Sequence, residues 1–86
     1  MKLQYSDHFK KRLSKRLAKN PALKRKVSKQ LKLLKQGVHY PSLKTHKLQG
    51  KRLDEYSIWI EGNIRITVII VEDTILLLDI ITHDEY

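Results

Sequence analysis

The amino-acid sequence predicts an α+β fold, in which a helical hairpin packs on one face of a twisted antiparallel sheet of three to four strands. One observation is a pair of apolar stripes with helical spacing in the N-terminal half of the chain. The other is a series of three segments rich in β-branched residues in the C-terminal half, separated by short polar breaks. The 86 residues predict a single domain, residues 1–86, with a modest core.

The first predicted helix follows a short segment, "MKLQY", whose weak alternation is compatible with a first strand. Phe9, Leu13 and Leu17 recur at every fourth residue and therefore lie on one side of a helix. Ser6 or Asp7 is the expected N-cap, because short polar side chains accept hydrogen bonds from the first free N–H groups.

The second predicted helix begins at "NPALK", where Asn20 is suited to the N-cap and Pro21 to the first helical position. Gly37 is the expected C-cap. The apolar stripe of this helix is formed by Leu23, Val27, Leu31 and Leu34, with Gln30 and Leu33 beside it. The two helices should therefore turn their apolar sides toward the sheet and their lysines toward the solvent.

The predicted strands are "EYSIWI", "IRITVIIV" and "TILLLDIIT", and the length of the loops between them decides which side chains share a face. Three-residue loops at 61–63 and 72–74 would pair Trp59 with Arg65, Ser57 with Thr67, and Thr67 with Asp79. A two-residue second turn would instead bury the Asp79 carboxylate, at a cost on the order of several kcal/mol. The preferred register places Trp59, Arg65, Thr67, Asp79 and His83 on the face away from the helices. It places Ile58, Ile60, Ile64, Ile66, Val68, Leu76, Leu78 and Ile80 against them.

The charges are distributed unevenly along the chain. Residues 1–53 contain 17 of the 18 lysines and arginines and one acid, whereas residues 54–86 contain Arg65 and eight acids. Such a basic half attracts polyanions, of which nucleic acid is the commonest in a cell, although an acidic protein is an alternative partner. Without cysteine, a signal-peptide pattern or a long apolar segment, the sequence predicts a soluble cytoplasmic protein that does not enter a membrane.

Two of the four histidines are candidates for proton transfer. His46 lies in "LKTHKLQGK", where neighbouring lysines favour a neutral imidazole that accepts a proton. His83 follows the last strand, and the adjacent acids favour a protonated imidazole that donates one. Two histidines in opposite charge settings fit an acid–base pair. Alternatively, His46 is a solvated loop residue and His83 caps the strand, while His8 and His39 are expected on the surface without partners.

The remaining candidates concern binding. Trp59 and Arg65 are expected either to form a cation–π pair or to bind RNA, with the indole stacking on a base and the guanidinium holding a phosphate. Alternatively, they only close the exposed face of the sheet. The histidines lack a third metal ligand at a fixed spacing, so no metal site is expected. The sequence shows no glycine-rich phosphate loop, and no cofactor is predicted.

Three segments carry a resemblance to a known family: "NPALKRKVSKQLKLLKQGVHYPSLKTHKLQGK", "SIWIEGNIRI" and "LLLDIITHDEY". They resemble the RelE/ParE superfamily of type II toxins, and most closely its YafQ-like branch, over essentially the whole chain. The resemblance implies a metal-independent mRNA endonuclease (mRNA interferase), generally acting on ribosome-bound mRNA, with a cognate antitoxin as protein partner. It implies His46 and His83 as the acid–base pair, with Arg65 stabilising phosphate and Tyr86 as the closing tyrosine. The RNA-binding candidates are Lys44, Lys47, Lys51, Arg52 and Trp59.

The chain departs from the YafQ-like pattern at three places. Trp59 stands where those toxins carry a further histidine, Asn63 stands where they carry an aspartate, and the ending "HDEVY" is shortened to "HDEY". Two other functions therefore stay open beside the mRNA endonuclease. One is a ParE-like poison of DNA gyrase, which needs no catalytic histidine. The other is a catalytically weakened toxin that retains antitoxin binding.

Overall fold

The computed structural model describes residues 1–48 and 55–82, which form two helices and five strands. The elements are β1 (Lys2–Tyr5), α1 (Asp7–Lys19), α2 (Leu23–Gln36), a 3-10 helix (Pro41–Leu43), β2 (His46–Lys47), β3 (Glu55–Glu61), β4 (Ile64–Val71) and β5 (Thr74–Thr82). The sheet order is β1-β5-β4-β3-β2. The α+β class is confirmed. However, the sheet has five strands and is mixed, because β1 pairs with β5 in parallel.

The helical hairpin is confirmed, with one shifted boundary. The Ser6 hydroxyl accepts a 3.0 Å hydrogen bond from the Phe9 N–H and caps α1, and Gly37 occupies the C-cap of α2. Asn20 is not the N-cap of α2, because it closes α1, where its N–H donates to the Arg16 carbonyl. As a result, α2 begins two residues later than the position predicted from Pro21.

Both hairpins have the predicted pairing at their centre, but their turns are shorter than predicted and their strands contain bulges. Trp59 pairs with Arg65 and Thr67 pairs with Asp79, as expected. Each turn, however, has two residues, and each hairpin contains one bulge. The bulge of the first hairpin lies between Trp59 and Glu61 in β3. The bulge of the second hairpin lies in β5, opposite Thr67 and Val68. A bulge adds the same one residue that a longer loop would have added. Gly62 provides the positive φ of 55° that the first turn requires.

The bulge in β5 corrects one part of the predicted core. Leu76 and Leu78 were expected against the helices, but they are only half-buried, and Ile75 and Leu77 are fully buried there instead. The reason is that the extra residue lies at Leu78, within the strand, so the alternation reverses between Leu77 and Asp79. The core joins both helices to the sheet and includes Phe9, Leu23, Val27, Leu34, Ile58, Ile60, Ile66 and Val68.

One buried polar side chain fixes α2 to the sheet. Gln30 is 4% exposed, and its amide donates to the Trp59 carbonyl at 2.8 Å and to the Ser42 carbonyl at 3.1 Å. The first bond reaches the β3 strand next to its bulge, and the second holds the 3-10 helix that leads to β2. Gln30 therefore holds both β3 and the 3-10 helix against α2.

Replacement of Gln30 by alanine should lower the free energy of unfolding by about 2–3 kcal/mol, because two part-buried carbonyls lose their donor. The measurement is urea unfolding followed by the fluorescence of Trp59, the only tryptophan. Gln36→Ala, at an exposed position of the same helix, is the matched control and should change stability by less than about 0.5 kcal/mol. Equal effects of the two substitutions would show that the Gln30 bonds do not hold the sheet.

Candidate functional site

A row of four polar residues crosses the sheet on the face opposite the hydrophobic core, hereafter the far face. His46 in β2 pairs with Ser57 in β3, Ser57 with Thr67 in β4, and Thr67 with Asp79 in β5. Cross-strand partners point to the same face, so the four side chains form one row. Ser57 and Thr67 are buried, His46 is exposed and Asp79 is half-buried. The row is therefore a polar floor with an exposed histidine at one end and a carboxylate at the other.

The carboxylate at the end of the row is held by α1. The Arg12 Nε lies 3.1 Å from Asp79 Oδ1, and the His8 Nε2 lies 3.2 Å from Asp79 Oδ2. The Ile80 N–H also donates to Asp79 Oδ1 at 2.8 Å. These contacts exist because β1 covers β5 only as far as Leu77, and α1 runs along the strand beyond that point. The prediction that His8 is without a partner is wrong.

His46 is positioned by the segment that precedes it. Leu43 in the 3-10 helix is fully buried, and the Thr45 hydroxyl donates to the Val38 carbonyl. After this anchored segment, β2 joins the edge of the sheet for two residues. Within β2, Lys47 pairs with Tyr56 and therefore lies on the opposite face from His46.

A second row of the far face contains Trp59, Arg65 and Ile81. The cation that the structure places over the Trp59 ring is Lys44, with its Nζ 4.3 Å from the ring centre, and not the predicted Arg65. Lys44 reaches the ring from a left-handed backbone conformation, φ 47°, at the end of the 3-10 helix. The Trp59 indole N–H donates to the Gly62 carbonyl at 2.9 Å, which fixes the ring beside the turn.

Arg65 has an unusual environment for a cation. Its Nη1 is completely covered, yet among the described residues it has no hydrogen-bond partner. Its neighbours in the row are the Trp59 ring and the buried Ile81. A covered guanidinium nitrogen without a partner is costly.

The structure brings together part of the predicted site. The far face contains His46 in the first row and Trp59 and Arg65 in the second, and Lys44 lies over the Trp59 ring. Lys47 lies on the opposite face of the sheet. The predictions for His83, Tyr86, Lys51 and Arg52 lie outside the described residues. Among the described residues, no group of three or more histidine, aspartate or glutamate side chains could hold a metal ion, and no helix is long and apolar enough to span a membrane.

Sequence reasoning did not find the contribution of α1 to the far face. His8 and Arg12 lie four residues apart and so share one side of the helix, which is a detectable signal. Nothing in the sequence, however, pairs that side with Asp79, because the contact depends on where β1 ends beside β5. The buried Ser57 and Thr67 were placed by the predicted register but were not recognised as the floor of a site.

The helical hairpin and the five-stranded sheet together form a fold that is shared with solved structures of YoeB, YafQ and ParE-like toxins. No protein-family model and no curated protein sequence matches the chain. The fold is therefore established by its likeness to solved structures, and this likeness confirms the fold that the sequence motifs imply.

Three of these structures illustrate the likeness. A copper-bound mutant toxin from Helicobacter pylori is 24% identical, with a TM-score of 0.76, 99% of this chain and 97% of that chain covered. A YoeB/ParE toxin from Agrobacterium tumefaciens is 14% identical, with a TM-score of 0.82 and coverages of 96% and 99%. The DinJ-YafQ toxin-antitoxin complex of E. coli gives 20% identity, a TM-score of 0.79 and coverages of 96% and 92%. Identities this low establish the fold alone.

Proposed function

We propose that this protein is the toxin of a type II toxin-antitoxin system and cleaves mRNA, with ribosome-bound mRNA as its substrate. The observation that carries the proposal is the placement of Arg65, a half-buried cation, on the same face of the sheet as His46. The planar guanidinium is suited to binding an RNA phosphate. The fold shared with toxin structures supports the same function.

The proposed reaction is attack of a ribose 2′-hydroxyl on the adjacent phosphorus. His46 accepts the proton from the 2′-oxygen, the bond from phosphorus to the 5′-oxygen breaks, and His83 donates a proton to that leaving oxygen. The products are a 2′,3′-cyclic phosphate and a 5′-hydroxyl. Arg65 stabilises the negative charge on the phosphorane, and Tyr86 is proposed as a further catalytic residue.

The geometry of the described residues is compatible with one nucleotide step. His46 and Arg65 are two strands and two residues apart, which places their backbones about 12 Å from each other. Lys44 over the Trp59 ring combines a cation with an aromatic surface, the pairing that binds a phosphate and its base. Lys47, Lys51 and Arg52 would add sequence-independent attraction for RNA.

The antitoxin is proposed to be an acidic chain that occupies the groove between α1 and α2. This groove has a volume of about 320 Å³. Apolar side chains line its floor and the basic Lys10 and Lys24 flank it, so it fits the apolar side of an acidic amphipathic segment. Its apolar residues are Tyr5, Phe9, Leu13, Leu17, Val27 and Leu31. The E. coli YafQ structure mentioned above is itself a toxin-antitoxin complex.

Induced expression in a bacterial host tests the proposed class. The wild-type protein should stop growth with a rapid loss of protein synthesis, measured by pulse labelling, because cleaved mRNA cannot be translated. His46→Ala and His83→Ala should each abolish the arrest. His39→Ala, at an exposed position outside the sheet, is the matched control and should remain toxic.

The other outcomes separate the competing functions. Growth arrest with DNA damage and filamentation, unchanged by both histidine substitutions, would indicate a gyrase poison. No arrest by the wild-type protein would indicate a weakened toxin, in which Trp59 and Asn63 have replaced catalytic groups. Either result contradicts the mRNA endonuclease.

A further inference from the structure

A pocket of about 370 Å³ lies where α1 meets the far face. Four of the side chains that line it are charged or titratable: His8 and Arg12 from α1, Glu55 from β3 and Asp79 from β5. Thr67, in the row that begins at His46, is also part of its lining. The pocket therefore borders the proposed cleavage site and has no role in the reaction as proposed.

The mixture of charges in this pocket indicates which part of an RNA it fits. Two carboxylates, Glu55 and Asp79, would repel a phosphate, although Arg12 would attract one. A nucleobase carries both donors and acceptors on its edge and an apolar surface on each side of its ring. The aliphatic side chains of Leu78 and Ile81 complete the lining and offer such a ring an apolar wall.

Glu55 is the group available to read the base. The Asp79 oxygens are already engaged by Arg12, His8 and the Ile80 N–H. The half-buried Glu55 carboxylate, by contrast, forms no hydrogen bond or ion pair with any residue in the described ranges 1–48 and 55–82. A free carboxylate matches two parallel N–H donors, and guanine presents such a pair at N1 and N2 on its Watson–Crick edge.

We propose that this pocket binds a guanine base of the RNA substrate, with Glu55 accepting hydrogen bonds from its N1–H and N2–H groups. Thr67 and His46 are separated by two strand spacings, so their backbones are about 10 Å apart. A base in the pocket therefore belongs to a nucleotide next to the cleaved bond or one further along. Glu55 is then a determinant of sequence preference, and the inference rests on the proposed mRNA cleavage.

The experiment is to map the 5′-hydroxyl RNA ends that appear in a bacterial host after induction of the wild-type protein, Glu55→Gln or Glu61→Gln. The wild-type ends should show guanine enriched about tenfold at one fixed position relative to the cut, the discrimination typical of one bidentate base contact. Glu55→Gln replaces one acceptor oxygen by a donor of the same shape and should abolish the enrichment while cleavage continues. Glu61→Gln makes the same change at the end of β3, outside the pocket lining, and should preserve it.

The results that overturn the inference differ from those that overturn the proposed function. If new ends form without a guanine preference, or if Glu55→Gln keeps the wild-type preference, the pocket does not read guanine, although the protein still cleaves mRNA. If Glu55→Gln removes all ends while Glu61→Gln does not, Glu55 serves the reaction itself and the base-reading role is wrong. If the wild-type protein produces no new ends, the proposed cleavage fails, and the inference fails with it.

Discussion

Replacement of Arg65 by alanine is expected to slow RNA cleavage by about 10²–10³-fold, the loss typical when one donor to a developing oxyanion is removed. The physical reason is that the half-buried Arg65 guanidinium is proposed to donate hydrogen bonds to the phosphorane, which is more negative than the substrate phosphate. The rate is measured on mRNA in a reconstituted translation reaction with purified protein.

The same substitution should leave the fold nearly intact. Because the Nη1 forms no hydrogen bond with a described residue, alanine removes only the packing of the side-chain stem, and urea unfolding should shift by about 1 kcal/mol or less. Arg25→Ala, at an exposed position of α2, is the matched control for the loss of one positive charge. If Arg65→Ala and Arg25→Ala reduced cleavage to the same small extent, Arg65 would act only through general attraction for RNA.

The largest effect on stability is expected for Phe9→Ala, at about 3–5 kcal/mol. Phe9 is fully buried in the core that joins both helices to the sheet, and its ring stacks on Tyr5 with the centroids 5.9 Å apart. A loss of this size is a large share of the roughly 5–15 kcal/mol typical of small domains. Urea unfolding followed by Trp59 fluorescence measures it.

Phe9→Leu provides the graded control, because leucine refills most of the volume and should cost only about 1–1.5 kcal/mol. The substitution series also tests the placement of the helix that brings His8 and Arg12 to Asp79. A cost below about 1 kcal/mol for Phe9→Ala would contradict the packing of α1 on the sheet.

The central register of the sheet could be predicted from the sequence because one electrostatic argument decided it. Pairing Thr67 with Asp79 keeps a carboxylate out of the core, and the structure has this pairing. The bulges could not be predicted, since an extra residue in a strand and one in a loop give the same pairing beyond it. For this reason Leu76 and Leu78 were wrongly predicted to lie in the core, where the structure has Ile75 and Leu77.

The candidate site was only partly predictable, for a related reason. His46, Trp59 and Arg65 were found because their residue types and their place in the sequence motifs indicate RNA chemistry. The contacts of His8 and Arg12 with Asp79, and those of Gln30 with Trp59 and Ser42, depend on where helices lie beside the sheet. Such contacts join residues at least 12 positions apart, and local patterns contain no information about them.

The far face of the sheet is proposed to cleave mRNA through His46. The most direct test is to incubate the purified protein with a defined mRNA in a reconstituted translation reaction and to determine the chemistry of the new RNA ends. We expect 2′,3′-cyclic phosphate and 5′-hydroxyl ends with the wild-type protein and His39→Ala, and intact mRNA with His46→Ala. Intact mRNA with the wild-type protein, or equal cleavage by His46→Ala, would contradict the claim.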